Sequence, residues 1–135
     1  MTLTSFPIVF DTVVGAFGTE ISYEAASAVL AGQVVAVDDS TGTIAPTTAA
    51  TVGVVGIALY DIPAGTEGAV RVVGVAKTVA AGTIKAGQAV VASTVSAVGP
   101  ATTAGQYCVG TAIDNATEGQ EVRVAIHPFT YYAGA

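Results

Sequence analysis

Val55-Gly56-Ile57-Ala58 returns as Val109-Gly110-Thr111-Ala112, and ahead of each stand Ala31-Gly32-Gln33-Val34-Val35 and Ala86-Gly87-Gln88-Ala89-Val90. The endings correspond as well: Thr66-Glu67-Gly68 followed by Val70-Arg71-Val72 is matched by Thr117-Glu118-Gly119 followed by Val122-Arg123-Val124. The spacing between matched pieces drifts from 55 to 54 to 51 and then 52 residues, as expected when strands are kept and loops change length. Residues 31–76 and 86–126 therefore read as two copies of one unit.

Each copy reads as strands broken by turns, because its apolar residues are mostly β-branched, the runs are short, and Gly, Asp, Asn or Pro punctuate them. Strands are predicted at 33–37, 52–60 and 69–76 in the first copy, and near 88–93, 107–113 and 121–127 in the second. Asp38-Asp39-Ser40-Thr41-Gly42 and Pro63-Ala64-Gly65-Thr66-Glu67-Gly68 read as loops in the first copy, with Gly99-Pro100 and Asp114-Asn115 as breaks in the second. Residues 22–30 form the sole helical candidate, with Ser22 as its cap. Two such units, each too small to bury its own face, are expected to pair into one mostly β compact barrel or sandwich with at most one short helix.

Outside a β domain at 21–127 lie an extended N-terminal arm, residues 1–20, and a C-terminal tail, residues 128–135. The arm carries Phe6, Ile8, Val9, Phe10 and Phe17, and the tail carries Tyr131 and Tyr132. Large apolar side chains on tails point to docking surfaces.

With 135 residues, the chain fits one domain. Hydrophobic residues make up 52% of it, yet Gly, Thr and Ser interrupt them too often for the ~18-residue apolar run of a membrane span. No Lys or Arg precedes Arg71, so a positively charged signal region is missing and synthesis in the host cytoplasm is expected. Ten acidic against four basic residues leave a net charge of −6, the wrong sign and too little clustering for a nucleic-acid groove. Charged residues are only 10% of the chain, and so sparsely charged a surface costs little to desolvate against other proteins.

Candidate chemistry is thin. His127 is the single histidine and Cys108 the single cysteine, and a dyad of the two would place the thiol inside the apolar run at 107–113, where a buried structural cysteine is the ordinary outcome. Zinc needs more Cys or His than the chain has, and Asp38, Asp39 and Asp61 read as solvated turn residues. Glu67 and Glu118, at matching places, are the only pair shaped like a glycosidase acid and base, and each sits in a Thr-Glu-Gly turn. Arg71 and Arg123, in matching Val-Arg-Val strands, are expected to pair with nearby acids at a seam, Glu67 and Glu118 being the nearest in sequence. No catalytic residue, cofactor or metal site is assigned.

In 31–37, Val55-Gly56-Ile57-Ala58, Val72-Val73-Gly74-Val75-Ala76-Lys77, 84–91 and Val109-Gly110-Thr111-Ala112, the chain resembles the capsid decoration, or cement, proteins of tailed bacteriophages. The resemblance implies a virion protein that binds the outer surface of the expanded capsid, commonly as a homotrimer clamping major capsid subunits, and stabilises the shell. On that reading Phe6, Ile8, Val9, Phe10, Phe17, Arg71, Arg123, Tyr131 and Tyr132 are the candidates for contact with capsid or neighbouring subunits. The alternatives are a lipoyl-like carrier module, suggested by Ile84-Lys85-Ala86-Gly87-Gln88, and a surface or tail-fibre binding module.

Overall fold

The computed structural model describes residues 18–48, 53–93 and 97–130. Among the described residues nine antiparallel strands make one sheet: β1 (Gly18–Glu24), β2 (Val34–Val37), β3 (Ile44–Pro46), β4 (Val54–Ala58), β5 (Glu67–Val79), β6 (Ala89–Ala92), β7 (Val98–Pro100), β8 (Tyr107–Ala112) and β9 (Glu121–Thr130). The order is β3-β2-β4-β5-β9-β8-β6-β7, with β1 added against β5. Read from either end, the path meets a three-residue strand, a four-residue strand, a middle strand and a long one. Both three-residue strands, β3 and β7, end in proline, which has no N–H to offer a further strand.

The expected mostly β fold is what forms, with three differences in its elements. Residues 22–30 are not a helix: Ser22, Tyr23 and Glu24 close β1, and Ala25 and Val29 make single bridges to Ile44 and Ile62. The alternation Glu20-Ile21-Ser22-Tyr23-Glu24 has a period of two, and it outweighs the helix propensity of the alanines that follow. Gly99 and Pro100 lie in β7 instead of a break, and β3 was too short to stand out from its flanking threonines.

Backbone hydrogen bonds recur through the chain at a nearly constant interval. Gly32 N–H donates to Ala58 O and Gly87 N–H to Ala112 O; Ala25 N–H donates to Thr66 O and Ala80 N–H to Gln120 O. The Gln of each Ala-Gly-Gln holds its turn by accepting on its side-chain oxygen, Gln33 from Leu30 N–H and Gln88 from Lys85 N–H. The interval stays at 54 or 55 throughout, with one extra residue in the loop between β2 and β3. The Thr-Glu-Gly matches are therefore out of step. Thr66 corresponds to Gln120 and Glu67 to Glu121, while Ala58 faces Val70 as Ala112 faces Val124, so Arg71 corresponds to Ala125 and Arg123 to Ala69.

β5 serves both halves. Arg71 faces Glu20 in β1 and Ile57 in β4, which places those strands on opposite edges of residues 67–72. From Gly74 onward β5 pairs with β9 instead. The core of the first half, Ala25, Val29, Val35, Ile44, Ala58, Ile62 and Val70, has as its counterparts Ala80, Ile84, Val90, Val98, Ala112, Ala116 and Val124. Val34, Val54 and Ile57 point the other way and join the second half's cluster, so β2 and β4 bury both faces. Each fully buried Val or Ile contributes roughly 1.5–3 kcal/mol, enough to bind the halves into one body.

Candidate binding surface

The two candidate arginines hold two different seams. Arg71 is buried, and it donates Nε–H and Nη2–H to Glu20 Oε2 at 3.1 and 2.6 Å and Nη1–H to the Val75 carbonyl at 3.0 Å. It thereby stitches β1 onto β5. Arg123 is half exposed and grips Asp114 in two parallel bonds, Nε–H to Oδ2 at 2.9 Å and Nη2–H to Oδ1 at 2.7 Å, while its backbone N–H donates to the same carboxylate. Those side-chain and backbone bonds from Arg123 hold the Asp114 carboxyl at about 2, well below the usual range.

Glu67 and Glu118 are not the partners of these arginines. Glu67 instead accepts from the Ser22 hydroxyl across β1, and Glu118 lies in the turn that Gln120 closes by accepting from Thr117 N–H. Sequence proximity misled because strand alternation sets the partners: Glu20 lies directly opposite Arg71 in the sheet, 51 residues away. The signal that identifies Glu20 is the alternating pattern of β1, hidden by a helical reading of residues 22–30. Asp114, nine residues before Arg123, sits at the strand end facing it.

The remaining candidates stay apart. Cys108 is fully buried beneath Phe129 in a small cluster with Val91 and Ala101, and burial pushes its thiol up. His127 is exposed, stacks on Phe129 at a centroid distance of 5.3 Å, and shares a 3.1 Å hydrogen bond with Thr111. Asp38 caps its own turn by accepting from the Ser40 hydroxyl and N–H, which lowers its carboxyl below the ordinary value, and Asp61 accepts from Ala31 N–H. Among the described residues, no three His, Cys, Asp or Glu side chains gather as a metal site. Phe6, Ile8, Val9, Phe10, Phe17, Tyr131 and Tyr132 lie outside the described residues.

What the described surface offers is a broad sheet face with the charges sorted unevenly along it. Over the second half an open groove is lined by Val75, Lys77, Asp114, Glu121 and Arg123, with Lys77 Nζ 3.9 Å from Glu121. Over the first half β1 lies almost wholly exposed, with Tyr23 alone of its residues partly buried, and among the described residues its outer edge faces no strand. Such a surface suits contact with other proteins better than the enclosure of a small substrate.

The sequence profile of a family described as "Phage cement protein" matches residues 13–127. Among solved structures, the head fiber gp8.5 N base in bacteriophage phi29 matches with a TM-score of 0.65 at 22% sequence identity, covering 81% of this chain and 93% of that one. At that identity the likeness is one of fold. No curated protein matches the chain.

Proposed function

Because the chain belongs to the phage cement protein family, and is thus a structural, capsid-associated protein of a phage virion, we propose that it binds the outer surface of the expanded capsid and stabilises the shell. The family match over residues 13–127 carries this reading. The surface supports it: of the four cationic side chains, Arg71, Arg123 and Lys77 are engaged in ion pairs of the fold, and the single thiol is buried. We read the chain as non-catalytic, as two tandem copies of one strand unit, and as a homotrimer whose subunits each touch major capsid subunits. Many modest contacts repeated around a shell gain from avidity even when each is weak. Assembly onto the shell takes place in the host cytoplasm, and the apolar segment around Phe6, Ile8, Val9, Phe10 and Phe17 serves as an arm that reaches the capsid.

Co-sedimentation with expanded shells purified from a phage lacking the protein tests the reading. The expected result is saturable binding and a shell that resists heating better when coated. A chain that stays in the supernatant at micromolar concentration overturns it. Deleting residues 1–17 is expected to abolish binding and leave a folded remainder; undiminished coating by the truncated chain removes the arm from the account.

A further inference from the structure

One face of the sheet is neutral over the second half and acidic over the first, and the difference lies at matched positions. On that face β5 and β9 present Lys77, Arg123 and Glu121, with Asp114 beside them. Two cations meet two carboxylates there, in the pairs Lys77–Glu121 and Arg123–Asp114. The interval of 54 to 55 residues gives the counterparts: Ser22 for Lys77, Ala69 for Arg123, Glu67 for Glu121 and Tyr60 for Asp114. The acid is kept in Glu67, and both cations have become small neutral residues.

A second carboxylate stands beside it. Glu24 lies directly opposite Glu67 in the β1–β5 register, where the second half has Val79 opposite Glu121. Like charges directly opposite in an antiparallel pair are destabilising. Glu20, two positions further from Glu24 on the same face than Ser22, already spends its charge on Arg71. Ser22 offers Glu67 a hydroxyl in place of an ammonium. Tyr60 is 67% exposed, an aromatic surface in the place of a carboxylate. Ser22 and Glu24 lie on β1 and Glu67 and Ala69 on β5, while Tyr60 follows β4 beside Leu59, whose N–H donates to Ala69 O; six of the seven β1 residues are exposed.

We propose that this strip, Glu24, Glu67 and Tyr60 around the small Ser22 and Ala69, is a docking site for an arginine-bearing segment of the shell protein. The segment supplies from outside the cations that Lys77 and Arg123 supply within the second half. A guanidinium pairs with carboxylates through its planar fork and stacks on an aromatic ring, which fits Glu67 and Tyr60 together better than a lysine does. The guanidinium argues for a different protein: Arg71 is buried against Glu20 and Arg123 is gripped by Asp114, so a second copy has the exposed ammonium groups of Lys77 and Lys85 to offer in place of an arginine fork. The inference rests on the capsid-binding reading and gives it a surface and a partner chemistry.

The test uses the full chain and purified shells lacking it, at low and high salt, with two double variants. Glu24→Gln with Glu67→Gln removes the charge, and Ser22→Lys with Ala69→Arg installs the second half's own cations. Both are expected to melt no lower than the parent, since each relieves the Glu24–Glu67 opposition, and to bind shells about tenfold more weakly at low salt, with most of the parent's salt dependence gone. Folded variants that bind with parental affinity and salt dependence overturn the inference and leave capsid binding standing. A parent that sediments as an oligomer, broken up by either variant without loss of shell binding, overturns it in favour of a second copy. A parent that binds no shell removes the capsid reading itself, and the site with it.

Discussion

At residue 74 the first half passes its last strand on to the second, whereas at residue 128 the second half keeps its own. Gly74 has φ +112°, and there β5 leaves β1 and β4 and takes β9 as its neighbour. The matching residue is Pro128, whose ring fixes φ near −65°. β9 accordingly stays on β8 through the Phe129 and Thr130 pairings, accommodating one additional residue on the way. Phe129 and Ala89 then pack against the cluster of Cys108, Val91 and Ala101; Cys108 and Ala89 are the counterparts of Val54 and Val34, which in the first half pack against the second. The two halves thus differ at matched positions, Gly74 where β5 changes partner and Pro128 where β9 stays beside β8.

Where the halves are alike, damage to either is expected to be equal and large. A Cβ at Gly56 would be driven into the carbonyl oxygen of Arg71, and one at Gly110 into that of Ala125. Both opposing atoms are backbone, so the strands must part. Gly56→Ala and Gly110→Ala are each expected to cost roughly 3 kcal/mol or more, read as loss of soluble protein or a much lower melting temperature. A mild effect at one position alone breaks the equivalence of the halves.

The arginines are the sharpest contrast between the halves. Arg71→Ala takes a donor from a carboxylate and from the half-buried Val75 carbonyl and opens a hole under β1, for about 2–3 kcal/mol; the Glu20 side chain keeps 37% of its surface exposed, which holds the figure below that of a fully buried pair. Arg123→Ala, at a side chain 43% exposed, is expected to lower the melting temperature far less and to lose its effect in high salt. Chemical denaturation of both variants decides it, and equal losses contradict the burial argument. Next in size stands the switch itself. Gly74→Val forces a β-branched residue to a positive φ and is expected to cost about 1–3 kcal/mol, while Pro128→Gly frees a residue that needs no special geometry and costs a fraction of that.

Much of this was legible in the residues. Val55-Gly56-Ile57-Ala58 and its partner are alike because both glycines meet a facing backbone, and Ala-Gly-Gln recurs because each glutamine closes the same turn. Short motifs with a backbone function repeat in register. Surface words do not: Val-Arg-Val and Thr-Glu-Gly recur two and three positions out of step, since a solvated Thr-Glu-Gly or a strand arginine fits many sites. The acid partners of the arginines were illegible for the same reason. Glu20 meets Arg71 through a strand pairing that no local spacing reveals, and β1 was hidden by alanines that favour a helix in isolation.

The smallest expected effect isolates a charge that the second half has and the first lacks. Asp114 is held at about 2 by its bonds from Arg123, while in the unfolded chain it titrates near the ordinary carboxylate value. A carboxyl whose folded value is depressed contributes stability that is complete above the unfolded value and is lost as pH falls through the folded one, here between about pH 4 and pH 2. Asp38, lowered by the Ser40 hydroxyl and N–H, titrates in the same acid direction from the first half. Asp114→Asn is therefore expected to flatten the acid limb of a melting-temperature profile without abolishing it. Asp38→Asn on the same background should remove a further part, and near pH 7 both changes should be modest because these groups are solvated. An acid limb unchanged by Asp114→Asn would show that the Arg123 pair is not formed in solution, and Arg123 and Asp114 would then stand as two separately solvated charges on the second half.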